Sequence, residues 1–272
     1  MYDISKLKQT EEFLELARRS AETSRGELLK LHESYMDDLT VANNIISHIM
    51  RSEGLRDPTI RYFQRPAVQF SGDIIAAARD ANGDLRLMLA DVTGHGLQAA
   101  LFLLPLSRVF YSMVKRGFMT SNIAREMNKT MREIAVTGRF IAAAVVHINR
   151  KESSIEIWNG GIPAAYFISK NGDIHKLRSQ HLPMGVLKDE SFDVATEVYN
   201  SPVGAILLCT DGLTEAENTS AEAFGEDRFE AILRSSQPDD LFDNILSSLE
   251  SHLDGGVAHD DLSIVLAQCG DQ

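Results

Sequence analysis

Four aspartates, each placed where an apolar segment meets a short turn, are the residues most able to do chemistry. They are Asp73, Asp91, Asp211 and Asp260. Turns held by rigid strands are where catalytic and binding side chains concentrate. Carboxylates crowded at one end of a sheet repel one another unless a cation compensates them. Oxygen ligands suit Mg²⁺ or Mn²⁺, and the sequence has no His or Cys cluster with the spacing of a zinc site.

A site of this kind predicts hydrolysis of a phosphate ester. Two divalent ions about 3.5–4 Å apart can share one carboxylate and activate a bridging water, which then attacks phosphorus without a protein nucleophile. Any single aspartate of the four could equally be an ordinary turn residue, because Asp is common in turns. The repetition of the same arrangement four times favours the metal site.

The elements that would position Asp73 and Asp91 form a hairpin. Asn82-Gly83 lies between the apolar segments Ile74–Arg79 and Leu85–Ala90, and Asn-Gly between two such runs predicts a tight turn. The outer ends of an antiparallel pair lie side by side, so the two carboxylates are expected to converge.

Further strands and helices follow the hairpin, and the strand–helix–strand rhythm of a parallel sheet is missing. The pattern predicts an α+β fold of two antiparallel sheets with helices on their outer faces. Predicted strands are Thr59–Pro66, Phe140–Ile148, Ser154–Trp158, Ala164–Ser169, Ile174–Leu177, Phe192–Tyr199, Ala205–Cys209 and Leu262–Ala267. Predicted helices are Leu97 to about Arg116, kinked or divided at Pro105, then Ser121 (as the cap) to about Ala135, Asp227–Ser235 and Asp239–His252.

Residues 1–53 form a separate helical arm in this interpretation, and residues 54–272 form the main domain. An apolar seam recurs every seven residues, at Leu7, Leu14, Ala21, Leu28, Tyr35, Ala42 and Ile49, as in a coiled coil. The second seam is poor, and Gly26 weakens a helix by about 1 kcal/mol relative to Ala. The arm is therefore a marginal, switchable coiled coil, two helices meeting near Gly26, or an amphipathic helix packed on its own domain.

Composition excludes several classes of protein. The net charge of −12 argues against non-specific nucleic-acid binding, which needs clustered Lys and Arg. The N-terminus lacks the pattern of a signal peptide, and the longest apolar stretch is shorter than a membrane span. Cys209 and Cys269 lie in apolar runs, as buried thiols of a reducing compartment do. A cytoplasmic protein that does not bind membranes is expected.

Motifs around the four aspartates resemble those of the PPM metal-dependent protein Ser/Thr phosphatases, most closely the bacterial branch of SpoIIE and RsbU type. The resemblance covers about Thr59 to Gln268. It rests on Ser71-Gly72-Asp73, Asp91-Val92-Thr93-Gly94-His95-Gly96, Thr210-Asp211-Gly212-Leu213-Thr214-Glu215 and Asp260-Asp261-Leu262-Ser263. It implies a PPM-type α-β-β-α sandwich, which agrees with the strand pattern.

The resemblance also implies roles for individual residues. Asp91 would bridge two Mn²⁺ or Mg²⁺ ions, and the backbone carbonyl of Val92 would bind one of them. Asp73 would contribute directly or through water, and Asp211 and Asp260 would hold the other side, with Asp261 as the alternative to Asp260. His95 could donate a proton or simply fill its turn.

Three features depart from the family pattern, and one is that Ile74-Ile75-Ala76-Ala77 contains no acidic residue where the family commonly has a second one. Ser71 stands where the family often has Gly, and Ile162 stands where a His is expected, but the four carboxylates are intact. The resemblance implies a phosphoserine or phosphothreonine protein as substrate, of the anti-sigma-factor-antagonist type, in a partner-switching pathway. It further implies an arm that connects to an upstream receiver or sensor domain, and the apolar seam of that arm predicts a homodimer. The alternatives are a catalytically silent module that sequesters a partner and a phosphohydrolase of small molecules.

Overall fold

The computed structural model describes residues 4–50, 53–94, 96–134, 138–200, 204–256 and 260–270. The chain divides into two units, Met1–His48 and Ile49–Gln272. The first is built from a single helix, α1 (Ile4–Met50), which continues through Gly26. The alternative of two helices meeting at Gly26 is therefore wrong. The boundary after residue 53 stays a prediction.

The second unit contains two five-stranded antiparallel sheets. Its strands are β1 (Ile60–Arg65), β2 (Asp73–Arg79), β3 (Leu85–Val92), β4 (Ile141–Asn149), β5 (Ser154–Gly160), β6 (Ala165–Ser169), β7 (Ile174–Leu177), β8 (Glu197–Asn200), β9 (Gly204–Cys209) and β10 (Leu262–Cys269). One sheet has the order β1-β10-β9-β6-β7 and the other β2-β3-β4-β5-β8. We call them the β9 sheet and the β3 sheet.

Helices cover the outer face of each sheet. They are α2 (Leu97–Lys115), α3 (Thr120–Ile134), α4 (Glu226–Ser235) and α5 (Leu241–Leu253). The first two pack on the β3 sheet and the last two on the β9 sheet. The predicted α-β-β-α sandwich is confirmed.

The alternation of side chains along each strand explains why the strands are apolar on both faces. In β3, Leu87 and Leu89 point between the sheets, whereas Met88 and Ala90 point toward α2 and α3. Successive strand residues face opposite sides, so a sheet covered on both faces needs apolar residues at every position. Any polar residue facing the gap between the sheets therefore requires a specific reason.

Helix α2 is continuous through Pro105, so the prediction that this residue divides the helix is wrong. Proline removes one intrahelical hydrogen bond, but Leu103, Leu106 and Phe110 are fully buried against the β3 sheet and hold the helix together. This helix is long and apolar enough to cross a membrane by length and composition. This corrects the prediction that the apolar stretch is shorter than a membrane span. The buried residues Leu103, Leu106 and Phe110 account for only part of that apolarity.

Two smaller predictions are also corrected. The predicted strand Phe192–Tyr199 is a strand only at Glu197–Asn200. The carbonyl of Asp193 accepts a hydrogen bond from Trp158 Nε1 at 3.0 Å, so it is not available for pairing with a neighbouring strand. Ser121 does not cap α3, because the helix already includes Thr120, whose hydroxyl bonds to Glu156 Oε2 at 2.7 Å.

Candidate metal centre

Asp73 and Asp91 face each other at one end of the β3 sheet, as the hairpin pattern predicts. They are direct partners across the β2–β3 ladder. By the alternation of strand residues, Asp91 shares its face with Leu87 and Leu89, and Asp73 shares its face with Ile75. Those apolar residues line the gap between the sheets. The two carboxylates therefore close one end of that gap.

The β9 sheet supplies the remaining carboxylates from the opposite side of the gap. Asp211 begins a short 3₁₀ turn after β9, and Asp260 and Asp261 precede β10, which pairs with β9. A Cβ on Gly212 would come within 2.1 Å of the Asp261 carbonyl oxygen, so only glycine allows the two segments to approach this closely. This contact places Asp211 beside Asp260.

Asp260 and Asp261 have different surroundings. Asp261 is buried, and its two carboxylate oxygens accept hydrogen bonds from the backbone N–H groups of Ala67 at 2.8 Å and Gly72 at 2.5 Å. Asp260 is exposed, and it accepts only the N–H of Asp261, at 2.8 Å, among the hydrogen bonds of the described chain. Asp261 fixes the segment that leads to Asp73, whereas Asp260 is free to bind a ligand.

Asp73 is the most buried of the candidate ligands. One oxygen, Oδ2, accepts a hydrogen bond of 2.9 Å from the Thr210 hydroxyl. The other, Oδ1, is buried and has no hydrogen-bond partner among the described residues. A buried polar atom without a partner costs about 1–3 kcal/mol, so this oxygen fits a ligand that the protein itself does not supply.

Mutual repulsion is visible in the proton affinities of these carboxylates. Burial and then the neighbouring Asp211, Asp260 and Asp261 raise the pKa of Asp91 to about 7. Burial and then Asp91 raise the pKa of Asp73 well above its usual range, while the hydroxyls of Ser263 and Thr210 act in the opposite direction. Burial and Asp260 likewise raise the pKa of Asp211.

No Lys or Arg forms an ion pair with these aspartates in the part of the chain that the structure describes. Divalent cations would supply the missing positive charge, and an all-oxygen donor set fits Mg²⁺ or Mn²⁺. The role of the Val92 carbonyl stays a prediction; the N–H of Val92 donates to Gly72 O at 3.0 Å. His95 lies outside the described residues.

Sequence reasoning assigned no role to two further residues at this site. Glu215 and Asp260 line one cleft of about 450 Å³, and burial, Asp211 and Asp260 raise the pKa of Glu215. Arg139 donates to Thr93 O at 2.6 Å and to Gln98 Oε1 at 2.9 Å, which ties the Asp91 turn to the start of α2. Glu215 belongs to the motif Thr210-Asp211-Gly212-Leu213-Thr214-Glu215, so that motif could have indicated it. Arg139 is more than forty residues away from its partners in the sequence, so no local pattern could have indicated it.

A second acidic group lies near the turn between β2 and β3, at the far end of that hairpin. Asp80, Asp84 and His147 have ligand atoms within 4.8 Å of one another. Arg86 lies 3.6 Å from Asp80, and the backbone N–H of Arg150 donates to Asp84 at 3.1 Å. This group therefore already has internal partners, in contrast to the cluster around Asp91.

Comparison with known proteins agrees with this geometry. Residues 81–270 match the family described as Stage II sporulation protein E (SpoIIE). Phosphoserine phosphatase RsbP of Bacillus subtilis is 24% identical over 206 residues, covering 73% of this chain and 49% of RsbP. Phosphoserine phosphatase RsbU of the same organism is 22% identical over 259 residues, covering 92% of this chain and 74% of RsbU. The chain thus spans about half the length of RsbP.

The fold has solved counterparts. The SiaA-PP2C domain of Pseudomonas aeruginosa superposes with a TM-score of 0.73 at 19% identity, covering 87% of this chain and 98% of that domain. At this identity the likeness supports the fold alone.

Proposed function

The chain belongs to the SpoIIE family of PP2C-type phosphatases, and we propose that it is a metal-dependent protein serine/threonine phosphatase. The observation that carries this proposal is the cluster of carboxylates between the two sheets. The cluster includes Asp73 Oδ1, a buried oxygen that has no hydrogen-bond partner among the described residues. No Lys or Arg of the described residues forms an ion pair with any of the clustered aspartates.

Each carboxylate has a proposed role in holding two Mn²⁺ or Mg²⁺ ions. Asp91 would contact both ions, with the Val92 carbonyl on one of them. Asp73 would bind through Oδ1 or through an intervening water, and Asp211 and Asp260 would bind from the β9 sheet. When bound, the ions supply an activated water and a positive site for the substrate phosphate.

The protein does not need to supply the nucleophile in this proposal. Cys209, which directly precedes Thr210, is buried, and burial raises the pKa of its thiol to about 12. A thiol with that pKa stays protonated at neutral pH, so it is a poor nucleophile.

The proposed substrate is a phosphoserine or phosphothreonine protein of the anti-sigma-factor-antagonist type. The support is the family match and the similarity to RsbP and RsbU, both named phosphoserine phosphatases. In this proposal the protein acts in a cytoplasmic partner-switching pathway under the control of an upstream receiver or sensor domain. A silent binding module is less well supported, because such a module has no need of four carboxylates without a Lys or Arg partner among the described residues.

Hydrolysis of a phosphoserine peptide with Mn²⁺, and again with excess EDTA, tests the activity. Turnover is expected with Mn²⁺ and should fall to the uncatalysed level with EDTA, because without cations the carboxylates only repel the phosphate. A nucleoside triphosphate tested in parallel should be a poor substrate. Saturable Mn²⁺ binding without turnover of either substrate would favour the silent module, and a preference for the nucleotide would favour a small-molecule phosphohydrolase.

The arm has a second proposed role, as a dimerisation helix. Helix α1 exposes Leu14, Leu28 and Tyr35 of the first apolar seam. It also exposes Leu31 and Ile45 of the poor second seam, whose positions are Thr10, Ala17, Ser24, Leu31, Asp38 and Ile45. Exposed apolar side chains in a continuous row usually mark an interaction surface, and a repeat of seven fits pairing with a second copy of the same helix.

Charge introduced into the seam tests this role. The double change Leu14→Glu and Leu28→Glu should convert a dimer into a monomer in analytical ultracentrifugation, because two like charges would face each other across the pair. Glu11→Gln and Glu22→Gln, also on exposed positions of α1, form the matched control and should leave the dimer intact. A wild-type protein that is monomeric at all concentrations would contradict the proposal.

A further inference from the structure

Thr210 is a fully buried polar residue that links the two sheets directly below the carboxylates. It follows the last residue of β9, and its N–H donates to the carbonyl of Ser263 in β10 at 3.0 Å. Its hydroxyl reaches across the gap to Asp73, the first residue of β2 in the other sheet. Most of the gap is lined by apolar side chains, and the hydroxyl of Ser263, on the same face of β10 as Val265 and Ala267, is a second buried hydroxyl that acts on Asp73, so these polar contacts need a specific explanation.

The direction of the hydrogen bond between Thr210 and Asp73 follows from the other partner of the hydroxyl. The backbone N–H of Ser263 can only donate, and it points at Thr210 Oγ1 at 3.0 Å. The hydroxyl accepts that bond, so its own hydrogen is available for Asp73 Oδ2, at 2.9 Å. Two carbonyl oxygens, of Asp261 and Ser263, are more distant acceptors at 3.5 Å.

This bond determines which oxygen of Asp73 remains available. Oδ2 is occupied by Thr210, whereas Oδ1 is buried and has no hydrogen-bond partner within the described residues. A carboxylate held at one oxygen cannot rotate freely about the Cβ–Cγ bond, so Oδ1 of Asp73 keeps a fixed position at the end of the gap. Partners that orient a metal ligand typically change metal affinity by about 10–100-fold when they are removed.

We infer that Thr210 is a positioning residue, whose hydroxyl holds Asp73 so that Oδ1 is presented to the divalent cations. The inference rests on the proposed metal site. The alternative is that the hydroxyl only joins the two sheets and contributes stability, without any effect on cation binding.

Thr210→Val tests the inference, because valine has nearly the same shape and lacks the hydroxyl. Calorimetric titration with Mn²⁺ should show a Kd at least about tenfold higher than that of the wild type. Thr210→Ser keeps the hydroxyl and should remain within about threefold of the wild-type Kd. Thr210→Cys, with a weaker donor, replaces the valine variant if that protein does not fold, and its Kd should exceed that of Thr210→Ser.

Thr120→Val is the matched control. Thr120 is also fully buried, and its hydroxyl bonds to Glu156 at 2.7 Å in a network around Arg86 and Glu156. This change should lower the Tm and leave the Kd for Mn²⁺ unchanged. A wild-type Kd in Thr210→Val, equal Kd values for Thr210→Val and Thr210→Ser, or an equal increase in Thr120→Val would overturn the inference. Failure of the wild type to bind Mn²⁺ would instead overturn the proposed metal site.

Discussion

Replacing Asp91 with asparagine should reduce phosphatase turnover by about 10³-fold, which corresponds to about 4 kcal/mol of lost transition-state stabilisation. Asp91 lies between Asp73 on the neighbouring strand and the carboxylates of the β9 sheet, so its removal affects every proposed contact of the ions. Binding of Mn²⁺, measured by calorimetry, should weaken together with turnover. The exposed residue Asp239, changed to asparagine, is the control and should behave as wild type.

The same variant should be more stable than the wild type when no metal is present. The pKa of Asp91 is raised to about 7 in the folded protein, so its stability contribution is present at acid pH and is lost as the pH rises through 7. At pH 8 in EDTA the wild type therefore contains a buried, repelled carboxylate that asparagine removes. We expect a Tm several degrees higher for Asp91→Asn at pH 8, and a smaller difference at pH 5.

The Asp91→Asn variant is expected to change metal binding and metal-free stability in opposite directions. Metal binding is expected to fall while metal-free stability rises, which general damage to the fold cannot produce. Turnover within about threefold of the wild type would exclude Asp91 from the chemistry. A lower Tm in EDTA at pH 8 would show that the carboxylates are not electrostatically strained in the metal-free protein.

The neighbours Asp260 and Asp261 should respond differently to the same substitution. Asp261→Asn removes one of two buried acceptors for the N–H groups of Ala67 and Gly72, and an unpaired buried donor costs about 1–3 kcal/mol. Its Tm should fall with and without metal. Asp260→Asn keeps an oxygen that can accept the N–H of Asp261, and it removes a charge that repels Asp91 and Asp211, so its Tm without metal should equal or exceed that of the wild type.

Metal titration completes the comparison. Asp260→Asn should raise the Kd for Mn²⁺ at least about tenfold, because an amide oxygen lacks the charge that the cation requires. The two variants control for each other, since they are adjacent and make the same chemical change. An unchanged Kd in Asp260→Asn, together with a raised Kd and normal Tm in Asp261→Asn, would assign the ligand to Asp261.

Much of the fold was predictable because the signals are local. The Asn82-Gly83 turn and its flanking apolar runs are enough to place Asp73 opposite Asp91. The prediction failed where a distant side chain competes for the backbone, as Trp158 does at Asp193. It left open whether Pro105 kinks or divides α2, and only the division is excluded, because burial of α2 against the β3 sheet outweighs the missing hydrogen bond.

The sequence by itself determined the antiparallel sandwich, because strand periodicity and turn residues act over a few positions, and the motifs around the four aspartates indicated the family. Only the tertiary structure decided which carboxylate oxygens of these aspartates are held by hydrogen bonds and which are available to a ligand. Thr210 and Asp73 are 137 residues apart, and their contact depends on how the two sheets stack. Asp261 is buried and bonded to the segment that contains Ala67 and Gly72, whereas its neighbour Asp260 is exposed. Such contacts between sheets leave no periodic trace in the chain, so no pattern of neighbouring residues could reveal them.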